Sequence, residues 1–130
     1  MTTQGKFEEA DLLYKRALAI KEKVYGPDHQ EVATTLHNRA RLLQDQGKYA
    51  EAGILFQRAI AIYEKVLGRD HPYVAAGLAN WALALQSQGK FDEADVSLER
   101  SLAICEKVYG LDHQHVAKTI GRRASMLNDQ

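Results

Sequence analysis

The residues of this chain that could do chemistry are its five histidines and its single cysteine. Three histidines, His29, His71 and His113, each follow an aspartate and recur at one constant interval. Asp–His pairs, or His113 together with His115, have the donor types of a metal site. Because these groups occur only once in each interval, they do not converge on one ion. We therefore interpret them as parts of a recurring loop rather than as metal ligands.

Cys105 is the only candidate nucleophile of the thiol type. A nucleophile needs a base and an orienting group within hydrogen-bonding reach. Cys105 lies on an apolar helical stripe. The equivalent positions in the two preceding intervals hold Tyr63 and Lys21, so no reactive position recurs. The glycines are isolated and form no phosphate-binding loop. We predict a packed thiol, no enzymatic activity and no cofactor.

The elements that must position these residues form an internal repeat. Glycines recur with even spacing, at Gly5, Gly26, Gly47, Gly68, Gly89 and Gly110. They alternate between a QGK context and the end of an EKVYG or EKVLG segment, so the true repeat period spans two glycine intervals, about 42 residues. The segment RALAI likewise returns as RAIAI and RSLAI. A period of this length indicates a solenoid of stacked units.

Each segment between glycines has the apolar spacing of a helix, with steps of three and four residues. Glycine ends each helix, and an aspartate is predicted to cap the next one, at Asp28, Asp70 and Asp112, with Glu31 completing a capping box. The predicted fold is all-α, an α-solenoid of antiparallel helix pairs. Its six helices cover roughly 5–25, 30–46, 47–67, 72–88, 89–109 and 114–130.

Bulk composition excludes several classes of function. The formal net charge is zero, whereas a general nucleic-acid or anionic-membrane binder carries a basic excess. No apolar run approaches the roughly 18 residues that a membrane span needs, and the first residues have no signal-peptide pattern. With a single cysteine, no internal disulfide can form. We predict a cytoplasmic protein that binds neither nucleic acid nor membrane.

The run VATTLHNRARLLQDQGKYAEAGILFQRAIAIYEKVLGRDHP, residues 32–72, resembles the tetratricopeptide repeat of kinesin light chains, whose units have this same length. The resemblance implies one array over residues 1–130, with units of about 5–46, 47–88 and 89–130, that begins on a second helix and ends on a first helix. It also implies a right-handed superhelix whose first helices line a concave groove. Arg39, Trp81 and Arg123 depart from the family's usual leucine.

By the same resemblance, Asn38 and Asn80 match an asparagine that holds the backbone of an extended peptide, and Arg122 stands at the third equivalent position. His37 is either a groove residue or simply exposed. The predicted peptide-binding residues are Thr34, His37, Asn38, Arg41, Gln44, Asn80, Leu83, Gln86, Lys118, Arg122 and Ser125.

Basic residues concentrate on two of the three predicted first helices, while the helix between them carries no charge. They are Arg39 and Arg41 on one helix, and Lys118, Arg122 and Arg123 on the other. This pattern favours a scaffold that binds a protein or peptide ligand, acidic with a hydrophobic anchor. The alternative is that these side chains are solvated surface charges.

A second functional hypothesis is self-association. Neither predicted end is a polar cap, because Leu12 and Leu13 lie near one end and Met126 and Leu127 near the other. Gln130 falls in phase with the glutamines that precede Gly47 and Gly89. The chain is therefore expected either to be a piece of a longer array or to stack head-to-tail as a homo-oligomer.

Overall fold

The computed structural model of the chain describes residues 3–128, with side chains from residue 5 onward. Within that range it contains six α-helices and no strand. The helices are α1 (Thr3–Tyr25), α2 (Gln30–Asp45), α3 (Tyr49–Leu67), α4 (Pro72–Ser87), α5 (Phe91–Tyr109) and α6 (Gln114–Asn128). The predicted all-α solenoid is confirmed. The predicted array ends at residues 1–2 and 129–130 lie outside the described residues.

Glycines end the helices where their even spacing placed them. Gly26, Gly47, Gly68, Gly89 and Gly110 all have φ between +77° and +98°, a region that glycine enters without a steric penalty. Gly5 differs, because it lies inside α1. The short turns that follow these glycines bring each helix back antiparallel to its predecessor.

The predicted aspartate caps are wrong, because the following histidine caps the helix in each repeat. Nδ1 of His29, His71 and His113 accepts a hydrogen bond from the backbone N–H two residues later, at 3.0, 3.0 and 3.1 Å. An imidazole nitrogen here does what a serine or aspartate oxygen usually does at a helix N-terminus. The predicted capping box of Asp28 and Glu31 is therefore also wrong.

Two of the three aspartates instead form ion pairs with lysines of the next repeat. Asp28 pairs with Lys65 at 2.8 Å, and Asp70 pairs with Lys107 at 2.6 Å. The hydrogen bond from Lys107 lowers the pKa of Asp70 below its ordinary value. Because both pairs are solvent-exposed, they contribute little to stability.

Two of the three residues that replace the family's usual leucine, Arg39 and Arg123, form ion pairs with the neighbouring helix. Arg39 on α2 donates to Asp11 on α1 at 2.8 Å, and Arg123 on α6 donates to Asp95 on α5 at 2.7 Å. Burial raises the pKa of Asp11, but the hydrogen bond and charge of Arg39 outweigh it and leave the pKa lowered. The arginine stems pack between helices while their charged ends are satisfied by carboxylates.

In the middle repeat the same two positions hold Trp81 and Gly53. A Cβ added at Gly53 would lie 3.5 Å from Nε1 of Trp81, so the indole lies over the glycine in place of the ion pair. Trp81 is half-buried and borders all three groups of buried apolar residues that form the core. It therefore joins the layers of the stack at the centre of the molecule.

Candidate functional site

Helices α2, α4 and α6 lie side by side and form what we call the inner face, with α3 and α5 behind them. Two consecutive grooves run between these helices. The α2–α4 groove has a volume of about 230 Å³ and is lined by Gln30, Thr34, His37, Tyr63, Tyr73 and Ala76. The α4–α6 groove has a volume of about 320 Å³ and is lined by Pro72, Tyr73, Ala75, Ala76, Ala79, Asn80, Ser101, Cys105, Tyr109, His115, Lys118, Thr119 and Arg122.

The α2–α4 groove is bridged by hydrogen bonds between its own walls. The hydroxyls of Thr34 and Tyr63 lie 2.8 Å apart. The side-chain amide nitrogen of Asn80 donates to Nε2 of His37 at 3.2 Å. Gln44 extends this network by donating to the backbone carbonyl of Asn80 at 3.4 Å. These bonds tie α2 to α3 and α4, so they occupy polar groups that a ligand would otherwise meet.

The sequence left two alternatives for His37, a groove residue or a simply exposed one. In the structure it lines the α2–α4 groove. Burial, followed by the charge of Arg41, lowers the pKa of His37 from 6.5 to about 4. The imidazole is therefore neutral near pH 7, and its Nε2 can accept the hydrogen bond from Asn80. Its Nδ1 is buried and has no hydrogen-bond partner among residues 3–128.

The floor of the α4–α6 groove contains Cys105 and Ser101, both buried. Burial raises the pKa of the Cys105 thiol, although contacts with Thr119 and Ser101 act in the opposite direction. A thiol with a raised pKa is a poor nucleophile. The structure thus agrees with the predicted packed cysteine.

Two cations on the rim of the α4–α6 groove lack a carboxylate partner. No aspartate or glutamate among residues 3–128 forms an ion pair with Lys118 or Arg122. Arg39 and Arg123, which the sequence counted toward the same basic surface, are neutralised by ion pairs. That part of the predicted basic surface is wrong, and the free positive charge of α6 is confined to the groove.

The structure separates the predicted contact residues into several places. Thr34 and His37 line the α2–α4 groove, while Asn80, Lys118 and Arg122 line the α4–α6 groove. A third cleft of about 250 Å³ holds Asn38 and Arg41 and is completed by Tyr14, Leu42 and Asp45. The remaining predicted residues, Gln44, Leu83, Gln86 and Ser125, line none of these three clefts.

Sequence reasoning missed the residues that floor the grooves from the second helices. Tyr63 and Cys105 occupy equivalent positions one repeat period apart, and each lies beneath one groove. The difference in size between these two side chains was visible in the sequence. That difference argues against a shared reactive site, and it also predicts grooves of different depth.

Residues 3–128 contain no cluster of three histidine, cysteine, aspartate or glutamate side chains that could hold a metal ion. Nor is any helix in the described part long and apolar enough to cross a membrane. The inner face is a helical surface with grooves between its helices.

Comparison with known proteins agrees with this architecture. A model described as "Tetratricopeptide repeat" matches residues 2–65 and 31–94, and a second model of the same description matches residues 74–115. No curated protein sequence matches the chain.

Solved structures share the fold. BtubC (BKLC) from P. vanneervenii has a TM-score of 0.86 at 23% identity, over 95% of this chain and 50% of that one. A putative kinesin light chain from Podosopora anserina with nearly identical TPR-like repeats has a TM-score of 0.79 at 29% identity, over 96% and 59%. The N-terminal domain of stress-induced protein-1 from C. elegans has a TM-score of 0.58 at 17% identity, over 89% and 96%.

The chain spans about half to three-fifths of the length of the first two solved structures. Together, the family models cover most of its residues, and the repeats resemble those of the kinesin light chain-like variety. Tetratricopeptide repeats generally mediate interactions between proteins. The chain belongs to the tetratricopeptide repeat family.

Proposed function

We propose that this chain is a scaffold that binds a peptide segment of a partner protein on its inner face and catalyses no reaction. The segment is acidic and carries a hydrophobic anchor. One observation supports this ligand above all: Lys118 and Arg122 stand without a carboxylate partner, within residues 3–128, on the rim of a groove whose α4 wall is largely apolar. A cytoplasmic location is part of the same proposal.

Asn80 can contribute to peptide binding even though it already donates to His37. A primary amide has two N–H donors and a carbonyl oxygen, so one donor and the acceptor remain available. The side chain of Asn80 is only partly buried and borders the α4–α6 groove. It could therefore bond to the backbone of an extended segment that lies between Ala76 and Arg122.

Selection from a library of displayed random peptides tests the proposed ligand. We expect the enriched peptides to carry aspartate or glutamate next to an aliphatic or aromatic residue. Their affinity, measured by fluorescence anisotropy, should fall as salt increases, because the rim charges are exposed and are screened. Enrichment of basic peptides, or no enrichment at all, would contradict the proposal.

Charge reversal on the rim provides the second test. We expect Lys118→Glu with Arg122→Glu to lower the affinity for the selected peptides about tenfold or more, since two attractive contacts become repulsive. The matched control is Lys23→Glu with Lys90→Glu, which changes the net charge equally at two exposed lysines away from the grooves. An equal loss of affinity in both variants would show that only the overall charge matters.

Head-to-tail self-association is a second candidate function, and the outward surface of α1 favours it. Leu13 and Ile20 are 61% and 54% exposed. In later repeats Leu55, the equivalent of Leu13, packs partly against the core, and Ile62 and Ile104, the equivalents of Ile20, are buried. On α6, Ile120 and Leu127 are about half exposed. Such apolar surface can pair between copies.

Light scattering after size-exclusion chromatography, across a wide range of concentration, tests this candidate. Self-association predicts a mass that rises with concentration, and Leu13→Asp should abolish the rise by placing a charge in the paired face. A monomer mass at every concentration would exclude this candidate and leave the inner face as the functional surface.

A further inference from the structure

The two grooves of the inner face occupy the same place in successive repeats, so their differences can be read position by position. At three lining positions, the α2–α4 groove has a large or polar side chain where the α4–α6 groove has a smaller one. The pairs, each separated by one repeat period, are Thr34 and Ala76, His37 and Ala79, and Tyr63 and Cys105.

The larger side chains narrow the α2–α4 groove and are joined across it by hydrogen bonds. The Tyr63 hydroxyl lies 2.8 Å from that of Thr34, and His37 accepts from the Asn80 amide at 3.2 Å. Tyr63 itself is only 5% exposed. An entering side chain would have to break these hydrogen bonds and leave buried polar groups unpaired, which is costly.

The equivalent bonds cannot form in the α4–α6 groove, because Ala76 and Ala79 have no polar side-chain atom. Ser101 on its floor is already satisfied, since its hydroxyl donates to the backbone carbonyl of Ala75 at 2.8 Å. The groove therefore stays open at about 320 Å³, compared with about 230 Å³ in the preceding repeat.

The facing wall also changes its chemistry between the two repeats. Where the α2–α4 groove has the uncharged Ala76 on its far side, the α4–α6 groove has Lys118 at the equivalent position and Arg122 one helical turn further on. A largely apolar α4 wall beside two cations without carboxylate partners, within the part of the chain that the structure describes, suits an apolar side chain and a carboxylate bound together.

We infer that the α4–α6 groove alone receives the anchor, and that Ala79 and Cys105 determine this specificity by keeping it deep. The occupant is a partner segment with an aliphatic or aromatic side chain next to an aspartate or glutamate. The α2–α4 groove is narrowed by the protein's own side chains, whose polar groups are already hydrogen-bonded, and takes no anchor. This inference rests on the proposed peptide-binding function and adds which groove binds and which residues decide it.

The small molecule 3-phenylpropionate tests the groove directly, because it combines one apolar ring with one carboxylate. Titration followed by amide chemical shifts should move residues of α4 and α6 around the groove and leave the Thr34 and His37 region unchanged. We expect 3-phenylpropionamide, which lacks the charge, and propionate, which lacks the ring, to bind more weakly. Shifts spread equally over both grooves, or equal binding of all three molecules, would overturn the inference.

Two variants transfer the side chains of the narrower groove into the next repeat. Ala79→His and Cys105→Tyr each install the residue that narrows the α2–α4 groove, and we expect each to weaken the binding of 3-phenylpropionate about fivefold or more. The control is Tyr63→Phe, which removes the hydroxyl from the α2–α4 groove and should leave binding unchanged. Using two variants guards against one that does not fold, and circular dichroism identifies such a case.

The outcomes separate this inference from the proposed function. If both folded variants bind like the wild type, or if Tyr63→Phe alone weakens binding, the α4–α6 groove is not the anchor site. Selected acidic peptides would then still bind, and the proposed function would stand without this assignment. If neither 3-phenylpropionate nor any selected peptide binds the wild type, the proposed function fails and this inference fails with it.

Discussion

His37 makes the stability of the folded chain depend on pH. In the folded chain its pKa is about 4, compared with 6.5 for an ordinary histidine, because burial and then the charge of Arg41 disfavour the protonated ring. The unfolded chain therefore takes up a proton near pH 6.5 while the folded chain does not. The stability that His37 contributes is complete above pH 6.5 and is lost as the pH falls toward about 4.

We predict that replacing His37 with glutamine reduces this pH dependence. The free energy of unfolding is measured with urea for wild type and for His37→Gln at a series of pH values. The difference between the two proteins should become smaller as the pH falls from 6.5 to about 4. The narrowing should be on the order of 2 kcal/mol. A difference that stays constant over this range would mean that His37 is not held neutral in the folded state.

At the residue scale, sequence reasoning identified positions better than roles. The resemblance to tetratricopeptide repeats predicts Lys118, Arg122 and Asn80 beside a groove, and all three line the α4–α6 groove. The partners of Arg39 and Arg123 could not be foreseen, because Asp11 and Asp95 are distant in sequence and contact them only through helix packing. Whether a charged residue lacks an ion-pair partner can therefore be decided only when its neighbours in the fold are known.

Helix starts depend on histidine rather than aspartate. In sequence the two residues are adjacent, and aspartate has the stronger general preference for the cap. The conformation of the turn decides against it, since the aspartate side chain instead reaches a lysine of the next repeat. We therefore expect the two residues to differ sharply in their contribution to stability.

We predict that His71→Ala destabilises the chain by about 1 kcal/mol, the usual value of a helix cap. The residue accepts from the backbone N–H of Tyr73 at 3.0 Å, a bond that alanine cannot make. In the same urea titration, Asp70→Ala should leave the midpoint essentially unchanged, because its ion pair with Lys107 is exposed to solvent. A larger loss of stability from Asp70→Ala than from His71→Ala would contradict this assignment and identify the aspartate as the cap.

The approach of α3 to α4 depends on the absence of a side chain at Gly77. A Cβ added there would lie 2.7 Å from Cγ1 of Ile60, so we predict that Gly77→Ala costs about 1–3 kcal/mol by overpacking. Gly121 lies in α6 with nothing within 4 Å of an added Cβ. There, Gly121→Ala should stabilise the chain by about 0.5–1 kcal/mol through helix propensity.

Urea unfolding of the two variants side by side measures both effects. The glycines look alike in sequence, since each interrupts a helical pattern without an evident reason. Only the packing distinguishes a glycine that a neighbour requires from one that no neighbour requires. If both substitutions shift the unfolding midpoint in the same direction, the close contact between α3 and α4 is not as described.

At the scale of the whole molecule, the repeat period made the fold predictable. Each unit repeats the same apolar spacing and the same glycine stops, so local signals and the stacking of units agree. The difference between the two grooves was harder to predict, because it arises where the repeats differ from one another. The role of Ala79 and Cys105 in the α4–α6 groove becomes evident only when they are compared with His37 and Tyr63, which occupy the equivalent positions in the α2–α4 groove.

Stacking also makes stability uneven along the chain. In a solenoid each unit gains stability from its neighbours, and a unit with one neighbour is less stable than one with two. The outward faces of α1 and α6 leave apolar side chains such as Leu13 and Ile120 more than half exposed, whereas the centre of α3 and α4 is buried. The terminal helices should therefore open before the middle of the stack.

Trp81 makes this order measurable, because it is the only tryptophan and borders all three groups of core residues. We predict that far-UV circular dichroism, which reports every helix, begins to fall at a lower urea concentration than Trp81 fluorescence, which reports the centre. Amide exchange should likewise be faster in α1 and α6 than in α3 and α4. If the two spectroscopic transitions coincide and exchange is uniform, the stack unfolds as one cooperative unit, and its neighbour interactions are stronger than the exposed end faces indicate.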